Sequence, residues 1–231
     1  MKYDNIIKGI FISRPNRFIA KVNINGVEET VHVKNTGRCR ELLIPFCTVY
    51  LSVSDNPFRK TRYTLVAVEK QREKKQPLLI NMDSQIPNAA AEEFLRQGNI
   101  FSKQAVIKRE VKYGDSRFDI YVEDGDRKAF VEVKGVTLEK QGMALFPDAP
   151  TERGVKHINE LIRAKNEGYE AYILFVIQMK EVSLFTPNAQ MHKEFADTLK
   201  KANASGVNIL AYDCIVSETE IKIDRKVSVK I

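Results

Sequence analysis

Tryptophan is missing from this 231-residue chain, and cysteine and histidine each occur three times. The cysteines, Cys39, Cys47 and Cys214, are odd in number and have no Cys-x-x-Cys spacing, which argues against a disulfide frame or a zinc ribbon. His32, His157 and His192 are too scattered to suggest a His/Cys metal site. Long apolar runs are also lacking. The longest, Ala171 to Ile177, falls far short of the roughly 20 residues a membrane helix needs. The opening Met-Lys-Tyr-Asp-Asn has no apolar secretory core. These absences predict a soluble, cytoplasmic protein with no membrane partner. At 43% hydrophobic and 29% charged, the chain can bury a core and is neither disordered nor fibrous. Its length suits one large domain or two small ones.

Charge is unevenly distributed. The net charge is +7, yet residues 1–82 carry 15 basic and 7 acidic side chains, or +8, and the remainder is −1. A basic excess of that size attracts polyanions such as nucleic acid, although a solubilising surface with no partner has the same composition.

Residues 1–82 read as a basic β domain. Ile10–Ile12, Arg17–Ile24, Glu28–Val33, Thr48–Val53 and Arg62–Val68 are rich in Val, Ile, Thr, Phe and Tyr, with Asn/Gly turns and the Pro57 loop between them. Five short strands in so few residues predict a small barrel of the OB type. Arg38–Leu43 could hold one helical turn. The segment from Glu69 to Pro87 reads as the passage to a second domain, residues 83–231. That domain opens with a helix from Asn88, closed by Gly98, and continues with strands Val106–Tyr113, Arg117–Glu123 and Lys128–Leu138. Thr151 caps a helix to about Asn166. Tyr169–Met179 is a strand covered on both faces, His192–Ala204 a helix, and Val207–Tyr212 a further buried strand. The expected fold is mixed α/β: an OB-like barrel followed by a mixed sheet flanked by helices.

The hairpin at 117–138 carries the chemistry. With Gly125-Asp126 as the turn, Asp124 pairs with Arg127 and Asp119 lies opposite Glu132; with Asp124-Gly125 as the turn, Asp119 is diagonal to Glu132. Strict alternation puts Asp119, Glu132 and Lys134 on one face in either register, and Phe118, Ile120, Val131 and Val133 on the other, in the core. Like charges across a ladder repel, so apposed carboxylates call for a positive partner. A divalent metal such as magnesium suits them, with Lys134 facing the same spot to stabilise charge on a phosphate or orient a metal-bound water. Glu-x-Lys by itself says little. It also occurs at Glu73-Lys75, Glu110-Lys112 and Glu220-Lys222, where a solvated strand face explains it. Only the copy at 132–134 has an acidic partner on the adjoining strand.

Asp119, Glu132-Val133-Lys134 and the element order resemble the PD-(D/E)xK nuclease superfamily. The resemblance implies that Asp119 and Glu132 bind metal, magnesium or manganese, and that Lys134 assists catalysis. Phe118 stands where the motif has Pro, and Pro147-Asp148 follows the Glu-x-Lys instead of preceding it. Glu93 matches the position of an additional metal-associated Glu, with Glu92 next to it. A wider set covers nearly the whole chain: Arg17-Phe18, Asn35-Thr36-Gly37-Arg38, Glu110-Val111-Lys112-Tyr113-Gly114, Arg117-Phe118-Asp119, Val131–Lys134, Val136-Thr137-Leu138, Phe146-Pro147-Asp148-Ala149, Thr151-Glu152-Arg153-Gly154 and Lys156-His157. In this order they resemble the sugar fermentation stimulation protein family, SfsA. That resemblance implies an N-terminal OB-like domain, a C-terminal nuclease-like domain, DNA binding and a link to the regulation of sugar, especially maltose, metabolism. Lys34 departs from the Pro that the family often places before Asn-Thr-Gly, and Pro150 is a second departure.

Candidate phosphate contacts are Arg14, Arg17, Lys34, Arg38, Arg40, Arg59, Lys60 and Arg62 in the basic domain, with Arg153 and Lys156 after the Pro147 loop. Phe18, Phe58 and Tyr63 could stack on bases, although barrel aromatics are more often core. Glu152 and His157 belong to the same loop-and-helix segment, whose alternative reading is a plain cap with His157 facing solvent. The expected function is DNA binding with magnesium-dependent phosphodiester cleavage; the alternative is a non-catalytic DNA-binding regulator that retains a nuclease scaffold.

Overall fold

A computed structural model describes every residue except Thr36, Arg38 and Lys74. β1 (Ile6–Asn16), β2 (Ile19–Ile24), β3 (Val27–Val33), β4 (Thr48–Val53) and β5 (Tyr63–Lys70) form an antiparallel run in the order β3-β2-β1-β4-β5, and a parallel β3–β5 pairing closes it into a barrel. Asn25 (φ 51°) and Gly26 (φ 90°) form the two-residue β2–β3 turn. Positive φ at both positions matches the twist of the flanking strands, which is why an Asn-Gly pair sits there. The backbone N–H groups of Leu42 and Leu43 both reach the Cys39 carbonyl, giving the single helical turn expected near this point. β6 (Leu78–Asn81), inside the segment read as a passage, adds to the outer side of β5.

The second unit starts with α1 (Ile86–Arg96) and the antiparallel β7 (Val106–Tyr113), β8 (Ser116–Asp124) and β9 (Arg127–Val136). β10 (Leu138–Lys140) and β11 (Met143–Phe146) follow, then α2 (Glu152–Asn166), β12 (Glu170–Ile177), β13 (Leu184–Pro187), α3 (Lys193–Ala204), β14 (Asn208–Val216), β15 (Ile221–Lys226) and β16 (Ser228–Val229). The main sheet has the order β15-β14-β12-β9-β8-β7, with β9, β12 and β14 parallel. β12 lies at its centre and is buried along almost its whole length. Its Tyr172, Leu174 and Val176 pack with α1, while Ile173, Phe175 and Ile177 join a cluster that includes α2, α3 and the barrel core. Both faces are therefore covered, which is why the strand reads as an unbroken apolar run.

A small sheet, β10-β11-β13-β16, lies beside the main one. Phe146, at the end of β11, packs against Phe175 and Phe195, with ring centroids 5.6 and 5.1 Å away. The Phe146-Pro147 peptide is cis. Thr151 Oγ1 accepts the Gly154 N–H and caps α2 as expected. These short strands were not legible in the sequence, because two to four residues carry too little periodicity. Among the described residues no helix is long and apolar enough to cross a membrane.

Several polar contacts tie barrel to sheet. Lys34 Nζ donates to the buried Asp83 (2.7 Å), and Gln178 Nε2 donates to Asn81 Oδ1 and the Asp83 carbonyl (2.9 and 3.0 Å). Lys70 of β5 pairs with the Glu139 carboxylate of β10 and donates to its carbonyl (2.7 Å). Burial raises the Glu139 carboxyl, but the Gly142 N–H and Lys70 outweigh burial and hold it below the usual carboxylate range. A depressed folded-state pKa contributes stability above the unfolded value and loses it as pH falls through the folded value. Lys70→Met should therefore destabilise the fold at pH 7 by on the order of 2–3 kcal/mol, somewhat under the cost of breaking a fully buried pair because Lys70 keeps some water. Urea unfolding should show this deficit shrinking as pH falls below the ordinary glutamate value of 4.5; a deficit independent of pH would assign it to packing.

Candidate metal centre

The β8–β9 register pairs Asp124 with Arg127 and Ile120 with Val131, the first of the two alternatives. Asp119 and Glu132 would be the next pair, but the ladder stops there. The Asp119 side chain takes over: Oδ2 accepts the Val133 N–H at 2.8 Å, and Oδ1 accepts from Asn88 Nδ2 of α1 at 2.8 Å. On the other side of β8, the pairing between Arg109–Ile120 and Val111–Phe118 skips Glu110, whose φ is 53°. The strict alternation expected for β8 fails at this point. Ile120, Val131 and Val133 pack on the α1 side, whereas Phe118 belongs to the cluster on the α2 side. Sheet irregularities of this kind re-aim single side chains and concentrate next to functional sites.

Glu132 is 1% exposed. His157 Nδ1, from α2, and Lys134 Nζ both meet its Oε1. Its Oε2 is buried with no hydrogen-bond partner among the described residues. Burial would raise the Glu132 carboxyl, but the hydrogen bond from His157 and the Lys134 charge outweigh burial and hold it below the usual range. Asp119 shifts the other way, raised by burial first and by the Glu132 charge second, against the bonds from Val133 and Asn88 and the Lys134 charge. The two carboxylates are thus electrostatically coupled, Asp119 anchored towards α1 and Glu132 towards α2. Gly135 permits the close approach that brings α1 here: a Cβ at this position would lie 2.6 Å from Gln178 Oε1 and 2.8 Å from Pro87 Cγ.

An ionised carboxylate oxygen left dry and undonated is costly, and an adjacent cation removes that cost. Oxygen donors from carboxylates suit hard cations of the magnesium, manganese and calcium type. Asp119 and Glu132 supply oxygen donors of that class. Glu93 is held elsewhere: its Oε2 pairs with the Met1 ammonium at 2.9 Å, where α1 faces β15, and the sequence expectation of Glu93 at the metal is corrected by the α1 phase, which turns Asn88 to Asp119 instead. Glu92 pairs with Arg96 and Arg109. A separate trio, Glu152, His192 and Glu194, gathers ligand-type atoms on the surface. There His192 Nδ1 accepts the Thr151 N–H (3.3 Å), so the ring proton sits on Nε2 and faces the two carboxylates.

Sequence reasoning missed Asn88 and the burial of His157. The signal for His157 was present: it shares the buried stripe of α2 with Val155, Ile158, Leu161 and Ile162. Arg153, one turn earlier, donates from Nε to His157 Nε2 at 3.3 Å. Lys156 donates to the Asp115 carbonyl.

The basic candidates divide. Arg14 is an internal clamp, donating to the carbonyls of Gly37 (2.9 Å), Arg17 (2.8 Å) and Asn35 (2.6 Å). Lys34 is committed to Asp83, and Arg59 donates to Thr64 Oγ1. Arg38 lies outside the described residues. Arg17, Arg40, Lys60 and Arg62 are exposed and form no ion pair among the described residues, with Arg17 over the Phe18 ring and Arg62 over that of Tyr63. Phe18 is 49% and Phe58 93% exposed. Arg14, Arg17 and Arg40 border a cavity of about 240 Å3 at one end of the barrel.

A family model described as the sugar fermentation stimulation protein RE domain matches residues 85–220, and one described as the SfsA N-terminal OB domain matches residues 12–75. The sugar fermentation stimulation protein homolog of Clostridium beijerinckii is 58% identical over 223 residues, covering 96% of each chain. That of Ruminiclostridium cellulolyticum is 56% identical over the full length of both. A solved structure, that of Pyrococcus furiosus SfsA in complex with Ca2+, has a TM-score of 0.85 at 31% identity and covers 100% of this chain and 98% of its own. The chain therefore belongs to the sugar fermentation stimulation protein family.

Proposed function

We propose that this protein is a divalent-cation-dependent phosphodiesterase acting on DNA that its barrel holds. One observation carries the reading: the dry, undonated Oε2 of Glu132 beside a second carboxylate whose proton affinity is raised. The calcium named for the Pyrococcus furiosus relative supports a hard divalent ion as the partner. In this chain Asp119 and Glu132 would hold magnesium or manganese. Such an ion, when bound, supplies positive charge to a phosphate and a more acidic water. Asn88 and the Val133 N–H orient the Asp119 carboxylate, and His157 orients that of Glu132. Lys134, on releasing Glu132, brings an ammonium to the phosphate as its charge grows; that contact matters most in the transition state.

Arg17, Arg40, Lys60 and Arg62 form the most available part of the phosphate footprint, with Phe18 and Phe58 as exposed stacking surfaces. Arg17 and Phe18 occupy the β1–β2 loop, and Phe58, Lys60 and Arg62 the β4–β5 loop; in OB barrels these two loops flank the face that takes oligonucleotides.

Asp119→Ala should abolish the thermal stabilisation of the protein by manganese, and any manganese-dependent cleavage, while its DNA affinity stays within about two-fold because binding rests on the barrel. Single-stranded, duplex and branched DNA are the substrates to assay. Should the wild type show neither metal-dependent stabilisation nor cleavage of any of them, the non-catalytic DNA-binding regulator becomes the better account.

Combining Arg17→Glu, Arg40→Glu and Lys60→Glu should weaken binding to all sequences alike. The slope of log affinity against log salt should flatten by about 2–3, since each neutralised phosphate contributes roughly 0.7–0.9. An unchanged slope with the fold intact would move the footprint off the barrel.

A further inference from the structure

Both donors to Glu132 converge on one oxygen. Lys134 and His157 meet Oε1, and Oε2 has none among the described residues. A lysine two residues along the same strand is a mobile partner, with three rotatable donors on a flexible stem. An imidazole buried on α2 is not mobile. The ring is 6% exposed, wedged in the stripe that packs α2 on the sheet. Its second nitrogen accepts from Arg153 Nε. A guanidinium has only donors, so Nε2 must be the acceptor and the ring proton must lie on Nδ1, pointing at Glu132 Oε1. The i to i+4 spacing on α2 puts Arg153 directly over the ring.

We infer that His157 is a positioning residue for the cation site and that Arg153 locks its tautomer. The pair holds Glu132 by Oε1 so that Oε2 stays presented to a cation, and it keeps that hold when Lys134 turns to the substrate. This inference rests on the reading that Asp119 and Glu132 take a divalent ion. Without the ring, Lys134 is the one donor left to this buried carboxylate among the described residues and is tied to it. Without Arg153, nothing favours the proton on Nδ1, and an Nδ1 lone pair would face the carboxylate. Hydrogen-bonded partners of ligating side chains typically contribute 10- to 100-fold in metal affinity.

The test uses the full chain. Long-range 1H–15N correlation of the His157 ring in metal-free protein should show the proton on Nδ1, and Arg153→Met should shift it towards Nε2. Titration with manganese alone should give a dissociation constant for His157→Asn, whose amide still offers a donor near the Nδ1 position, within about three-fold of wild type; His157→Leu should bind at least about ten-fold more weakly. Arg153→Met removes only an exposed side chain, so it carries the affinity comparison if the leucine variant fails to fold, and it should also bind more weakly. A wild-type ring protonated on Nε2, or manganese affinity unmoved by both His157→Leu and Arg153→Met, would overturn the inference. If the wild type takes no manganese, the function proposed above fails, and the tautomer comparison still decides the role of Arg153 and His157.

Discussion

The arrangement depends on how one buried carboxylate is satisfied. Glu132 sits in a strand covered on both faces, where an ionised group has no water and its neighbours must supply every partner. The described residues supply two donors, both to the same oxygen. α2 must therefore lie where His157 reaches Oε1, and β9 must place Lys134 on the same point. The remaining oxygen is buried with no donor among the described residues, a cost that adjacent positive charge would remove. An environment that lowers Glu132 through its two donors while burial raises Asp119 pushes two neighbouring carboxyls in opposite directions.

Asp119 reaches this point because the sheet is interrupted there. The ladder between β8 and β9 gives up a pair, and the Asp119 carboxylate accepts the Val133 N–H in its place. The Val133 N–H, which would otherwise lose its partner there, is satisfied by that carboxylate. Opposite, the left-handed Glu110 lets Phe118 turn into the other core layer. Packing and site geometry are thus settled by the same residue positions.

The barrel is joined to the sheet by paired charges as well as apolar surface. Lys34–Asp83 and Lys70–Glu139 cross between the units, and Asp148 lies against Gly37, where an added Cβ would come within 2.2 Å of its carboxylate. Pro147-Asp148, which follows the Glu-x-Lys strand, is therefore part of the joint between units. Part of the +8 excess in residues 1–82 is consumed this way: Lys34 pairs with Asp83 just before α1, Lys70 with Glu139 of the second unit, and Arg14 braces carbonyls of its own loop. Arg17, Arg40, Lys60 and Arg62 remain exposed with no ion pair among the described residues.

Much of this was legible from the chain alone. Alternating strands and an Asn-Gly turn specified the barrel, the apolar run at 171–177 specified the central strand, and the hairpin turn narrowed Asp119 to a place opposite or diagonal to Glu132, between which the structure chose the Asp124–Arg127 register. These follow from local periodicity and turn chemistry, which act over a few residues. The order of Asp119, Glu132 and Lys134 together with the flanking motifs also placed the chain in its family. Tertiary structure alone decided what lies on either side of those carboxylates. The phase of α1 selects Asn88 over Glu93, and the docking of α2 sets its buried stripe, with His157 in it, against Glu132 and Arg153 behind the ring. The short β6, β10, β11, β13 and β16 form only because a neighbouring strand is there to pair with. Helix rotation and strand pairing at long range are set by side-chain packing between distant segments, and no window of local sequence contains that information.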